Sequence, residues 1–425
     1  MAGRGEPGGG GKPGEGGGCR CGQCPHGARE GRRQAVAAFV ALREEFAAGR
    51  GVPAGLVHSA GAARQWVSDE LTLSARQLAE RRAAEGAVWP TAARRRTVVA
   101  VWSMVLALLL GQALTAVGSG WTTGRTATLA AAAVLALGVT AATWLHREQG
   151  GALAPLIGED RRLSTSRTVA AAWVAAVLYA VLTLAVQLAL APAPDARRRL
   201  LAGLGLVSSG GLLTILAIGS GVAVLAYGMT AGRIRAGRVQ KVPADRPRVA
   251  DLLADDGGRG NLTDAQYVLV NAAVLAFTLV RVAGEPARLP VIPWVLVVLA
   301  GFSAMTYLAG KAVAGGRPVI LSVVRARELG DLAAPIRTGD DIEIRGTGFV
   351  PPGADTPDRL ARTVVRIGGV HVPVPLVPVP GGFANPTDGV LTVPVPVDVE
   401  PGPVEVRVIT AAGAETRAYR IEVQD

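Results

Sequence analysis

The chain has 425 residues, of which 50% are hydrophobic and 18% charged, and its formal net charge is +11. Globular proteins average about 25% charged residues, so a wholly soluble enzyme or binding protein of this length is excluded. Nucleic-acid binding is excluded as well. Aromatics make up 4% of the chain, and the arginines gather beside apolar runs instead of interleaving with stacking rings.

Residues 1–30 begin as a Gly- and Pro-rich tail with scattered charges, a composition that buries too little apolar surface to offset the entropy of ordering. Within it, Cys19, Cys21, Cys24 and His26 form C-x-C-x2-C-x-H. Three thiols and an imidazole match the donor count of a zinc site, but structural sites usually pair two knuckles across a longer stretch, whereas these four share one tight turn. Reduced, unstructured thiols are the expectation, and no cofactor is expected anywhere in the chain.

Residues 31–92 read as a soluble helical region. Val36, Phe39, Val40 and Phe46 fall near one helical face, and Trp66, Val67, Leu71 and Leu78 repeat in a second segment. The breakers Gly49, Gly51 and Pro53 separate the two. A hairpin lying near the membrane surface, able to support self-association, is expected.

Residues 93–312 carry six apolar runs. They are Thr97–Gly118, Thr126–His146, Thr168–Ala191, Leu200–Thr230 (with its span at about 205–230), Ala265–Ala283 and Val291–Gly310. Each approaches or exceeds the roughly 20 residues needed to cross a bilayer, and none contains Asp or Glu. The absence of a buried carboxylate argues against an ion-coupled transporter. The fourth run is long and holds Ser208, Ser209, Gly210 and Gly211, and a single tilted helix is preferred to a broken one. Gln112, Gln187 and Asn271 are expected to hydrogen-bond between helices, and Gly111, Ala300 and Ala304 to permit close packing. Arg281 lies near a span end and snorkels.

No charged-then-apolar leader precedes the first run, so that run is expected to direct insertion. Most arginines near span ends, including Arg94 to Arg96, Arg147, Arg161, Arg162, Arg167, Arg233 and Arg246, fall on one side of a six-span topology. Positive loops stay inside, which places both termini in the cytoplasm of a multi-pass cell-membrane protein. Arg197 to Arg199 are the exception. Between the fourth and fifth runs, Asp251, Asp255 and Asp256 stand near glycines but fail the calcium-loop spacing. Thr263 and Gln266 match a capping box opening the fifth helix, with Asp264 in its first turn. The stretch from Asp251 to Lys311, ending in Gly301, Ser303, Ala304, Tyr307, Leu308, Gly310 and Lys311, is similar to a pattern in bacterial membrane proteins of no established activity.

Residues 317–425 change period. Ile342 and Ile344 alternate with Glu343 and Arg345, and Leu391 to Val399, Val404 to Val408 and Tyr419 to Val423 alternate likewise. About seven strands over a hundred residues fit an immunoglobulin-like sandwich, with Pro394 and Pro396 demanding an edge position. The opening P-V-I-L-S-V from Pro318, G-D-D-I-E-I-R-G-T-G-F from Gly339, V-V-R-I-G-G-V from Val364 and V-x-P-G-P-V-x-V-x-V-x-T-x-x-G from Val399 resemble the IPT/TIG family. That resemblance implies an immunoglobulin-like fold that mediates binding, with Gly346 and Gly348 at turns or close approaches.

Motifs for phosphate loops, zinc peptidases and serine hydrolases are missing, and His26, His58, His146 and His371 are scattered. The sequence therefore reads as a non-enzymatic, α-helical polytopic bundle followed by an all-β sandwich that anchors a protein-binding module. The alternative is a channel or transporter gated by that module.

Overall fold

The computed structural model describes residues 25–202, 206–236, 240–255, 259–313, 316–326 and 335–424. Helix α1 (Pro25–Ala47) packs along α2 (Ala60–Ser119), so the helical hairpin is present. It starts six residues inside the expected tail. Cys19, Cys21 and Cys24 and the side chain of His26 lie outside the described residues.

Ser59 caps α2, its hydroxyl accepting from the Ala62 N–H at 3.4 Å, and Gly120 ends it at φ 73°. Between these ends the helix runs 60 residues through Pro90 without a break. The soluble helical region and the first span are thus one rod of roughly 90 Å.

The remaining long helices are α3 (Thr123–Leu145), α4 (Thr165–Leu190), α6 (Leu206–Arg235), α7 (Leu262–Gly284) and α8 (Trp294–Val313). With α2, these six are long and apolar enough to cross a membrane, and the chain is a multi-pass membrane protein. A short helix α5 (Pro194–Ala202) precedes α6 and carries the exceptional arginines, where Arg198 pairs with Asp195 at 2.7 Å and Arg197 donates to the Ala191 carbonyl. Helix α6 is unbroken. A Cβ at Gly211 would sit 2.7 Å from the Ile292 carbonyl, so that glycine lets the segment before α8 approach α6.

Helices α4, α6, α7 and α8 share one core around Trp173, Leu212, Ile215, Tyr267, Ala300, Ala304 and Tyr307. Helix α3 lies against α4, and α2 packs mainly against α3, with a smaller contact to the segment 151–156. Trp173 Nε1 donates to Asn271 Oδ1 at 3.0 Å, Gln112 Nε2 to Thr128 Oγ1 at 2.7 Å, and Gln187 Nε2 to the Pro286 carbonyl at 2.7 Å. Asn271 and Gln112 thus bond between helices as expected, whereas Gln187 reaches the segment just after α7. Gly111 does not support close packing, because open space surrounds its Cβ position. Arg281 pairs with Glu285 at the exposed end of α7.

The C-terminal region is a two-sheet sandwich. Strands β1 (Val319–Arg325), β2 (Ile336–Arg337), β3 (Asp341–Thr347), β4 (Val364–Ile367), β5 (Val370–Pro373), β6 (Val377–Val379), β7 (Gly382–Asn385), β8 (Val390–Pro394), β9 (Gly402–Ile409) and β10 (Tyr419–Gln424) form it. A one-turn helix α9 (Pro357–Leu360) precedes β4. One sheet runs β1-β3-β8 and the other β2-β10-β9-β4-β5, with β6-β7 as a separate hairpin. Ile342, Ile344, Leu391, Val393, Val406 and Val408 are fully buried between them, which fixes the strand register. Val397 breaks the alternating series at 80% exposure, beyond the end of β8.

Strand β8 is at a sheet edge as Pro394 requires, and Pro396 lies beyond its end. The Asn385 amide closes that edge, donating to the Thr392 carbonyl and accepting from its N–H, both at 2.9 Å. Gly346 and Gly348 behave as expected. A Cβ at Gly346 would collide with the Val319 carbonyl and the Phe349 ring, and Gly348 has φ 77°.

Candidate functional site at the soluble face of the bundle

The hairpin and the sandwich are not separate bodies. Phe39, Phe46, Val67, Leu71 and Ala75 of the hairpin form one buried cluster with Leu360 and Leu376 of the sandwich. Val36 and Val40, expected on the same helical face, are instead exposed. Hydrogen bonds cross this contact: the Leu376 N–H donates to Ser68 Oγ at 3.0 Å, and the Gly381 N–H to Glu44 Oε1 at 3.2 Å. The Arg43 side chain and that Gly381 N–H hold the Glu44 carboxyl below its ordinary value.

The connection between α6 and α7 bolts the two together. Asp245 receives Arg32 of α1 at 2.9 Å, Arg82 of α2 at 3.1 Å and Arg359 of α9 at 3.4 Å. Arg82 also reaches Asp358 at 2.7 Å, and Glu85 takes Arg32 at 2.8 Å and Arg246 at 3.7 Å. Burial, together with neighbouring Arg82, lowers the pKa of Arg359, though guanidinium basicity keeps it charged. Gln240 bridges further, donating to the Gly348 carbonyl at 2.9 Å and accepting from Thr410 Oγ1 at 2.6 Å.

Next to Gln240, Lys241 enters a cavity of about 100 Å³ where α4 begins and α6 and α8 end. Lys241 pairs there with Asp160 at 3.2 Å. Asp251 accepts from the Leu163 and Arg248 N–H groups, and Asp255 from that of Arg259. Tyr307 and Lys311 complete the wall, so part of the Asp251-to-Lys311 pattern converges on one place. Gly310 belongs to the same packing, since a Cβ there would meet Thr263 Oγ1 at 2.8 Å.

Two sequence expectations fail here. The N-cap of α7 is Asn261, whose Oδ1 accepts from the Thr263 N–H at 3.0 Å. Asn outranks Thr at this position, so the Thr263–Gln266 box does not form. Second, a buried carboxylate does exist: Asp264, in that first turn, is 0% exposed and meets Lys311 at 3.3 Å. Lys311 also lies 5.6 Å from the Tyr307 ring, which stacks on Tyr267 at 4.6 Å.

Chemically, the arrangement is one of paired charges. No group of three or more His, Cys, Asp or Glu placed to hold a metal ion occurs among the described residues. His58 lies in the turn before α2, His146 follows the last residue of α3, and His371 is on β5. Asp245, Glu85, Arg82 and Arg359 were not picked out from sequence. Their only signal was charge in a soluble region, which is normally solvated. Comparison with protein-family models, with curated proteins and with solved structures gives no match.

Proposed function

We propose that this protein is a non-enzymatic membrane scaffold that holds an IPT/TIG-like sandwich at the cytoplasmic face of the cell membrane for capture of a protein partner. The observation that carries this reading is the junction at Asp245, where one carboxylate joins α1, α2 and α9. A module tethered only by a flexible linker has no use for such a clamp, whereas a presented binding surface gains from being pre-oriented. Among the described residues the outer edge of β5 pairs with no further strand and offers a strand-addition site.

Affinity purification from native membranes, comparing the full chain with one lacking 318–425, tests the binding role. Loss of a co-purifying protein supports it. An identical set from both, with solute flux through the truncated chain in liposomes, favours the channel or transporter reading. Location is tested by impermeant thiol labelling in intact cells on a cysteine-free background. Cysteine at Asp355 should stay protected and cysteine at Thr122 should react, and the reverse pattern rejects the cytoplasmic placement.

A further inference from the structure

Helix α2 enters the bilayer differently from the other spans. No residue in its most apolar stretch is buried, whereas 22–33% of the corresponding stretch is buried in the other five. At its point of entry it forms, with the end of α3, a groove of about 1080 Å³. Arg94, Arg95 and Arg96 line the groove at the start of the apolar run, and Val98, Val99 and Ala100 continue it into that run. Trp144 of α3, 67% exposed, closes the far wall. The groove lining contains no carboxylate. None of the three arginines forms an ion pair among the described residues, unlike Arg29 at the rim, which reaches Glu85 at 3.8 Å.

We infer that this groove is a binding site for one anionic phospholipid of the adjoining leaflet. The lining has the polarity of such a molecule, with uncompensated guanidiniums at the level of headgroup phosphates and apolar wall below. An exposed tryptophan at the same level marks the membrane–water interface. Arginine forks match phosphate oxygens, and basic pockets between spans on the inner side favour anionic headgroups. A zwitterionic lipid would fill the apolar wall equally well, but its own ammonium would oppose three unpaired arginines. A second copy of the chain would have to bring its own carboxylates to the arginines. The exposed stretch of α2 from Thr97 to Ser119 contains none.

The test uses the full-length protein in nanodiscs of phosphatidylcholine with or without phosphatidylglycerol, with retained lipids counted by native mass spectrometry after transfer to detergent. One phosphatidylglycerol per chain should be retained in preference to phosphatidylcholine. The Arg94→Gln, Arg95→Gln, Arg96→Gln triple variant should weaken that preference by on the order of a hundredfold, about fivefold for each arginine near an anionic surface. Because that variant also alters insertion signals, Ala100→Trp provides an independent check: it keeps every charge, fills the apolar wall and should also release the lipid. Equal retention of both lipids, or a preference unchanged in both variants, overturns the inference. So does cross-linking between two copies through cysteine at Val99, which would place a second chain in the groove.

Discussion

Arg82 is the residue on which docking of the sandwich should depend most. It is the ion-pair partner of Asp358, whose side chain is 2% exposed, and it shares Asp245 with Arg32 and Arg359. Replacing Arg82 with Met keeps much of the packing volume but leaves the Asp358 carboxylate buried without its cation, a loss of about 3–5 kcal/mol. Asp245 retains two arginines, so most of the loss falls on the contact between α2 and α9. A global melt is a poor readout for a chain with several cores. Hydrogen exchange of the Leu376 amide is better, because that N–H donates across the interface to Ser68 and its opening reports undocking. Each 1.4 kcal/mol is tenfold, so Arg82→Met should speed exchange at Leu376 by roughly two to three orders of magnitude. Adding Asp358→Asn removes the stranded charge and should recover most of the protection. If Leu376 exchanges as in the parent, or if the two substitutions simply add, the pair does not hold the interface together.

Three further outcomes follow from the same contacts. Ile344→Asp forces a charge into the centre of the sandwich, where Ile344 is fully buried on β3; limited proteolysis should then cut between β1 and β10, and parent-like resistance would mean the strand register is wrong. Residues 316–425 expressed alone should fold but self-associate in sedimentation, since Leu360 and Leu376 lose their cover; adding residues 25–90 should restore a monomeric complex, and a monomer without them would show that the hairpin is dispensable. The folded-state pKa of Glu44 lies below its ordinary value of 4.5, so its contribution is complete above that value and is lost as pH falls through the folded pKa; Glu44→Gln should flatten the acid-side change in Gly381 exchange, and an unchanged profile would remove Glu44 from the interface.

The spans and strands were legible in the sequence for a common reason. A run of about twenty apolar residues, or an alternation over five, is a local property that states its own environment. Asn271, Gln112 and Gln187 stood out because amides in apolar runs need partners, and the structure supplies them. The junction was illegible because its parts are ordinary where they stand. Asp358 and Arg82 are 276 positions apart, and either alone reads as surface charge. Asp264 read only as a first-turn residue of the fifth helix because it sits one residue before the apolar run, while its cation lies 47 positions away at the end of the next span.

The placement of these pairs bears on what the molecule is built to do. Within the shared core of α4, α6, α7 and α8 the packing is largely apolar, and Trp173, Asn271 and Thr278 place their polar groups in hydrogen bonds there. At the ends of these helices, in their connecting segments and between the hairpin and the sandwich, charge takes over, and Asp160, Asp245, Asp264 and Asp358 each meet a cation from another element of the chain. Apolar packing tolerates sliding between alternatives, whereas a buried ion pair penalises every arrangement but its own, since a displaced partner strands a charge. The hydrophobic cluster at Leu71 and Leu376 supplies adhesion, and the pairs at Asp245 and Asp358 set the angle. A sandwich held in that way has one orientation relative to the helices, and that is the physical content of the scaffold proposal.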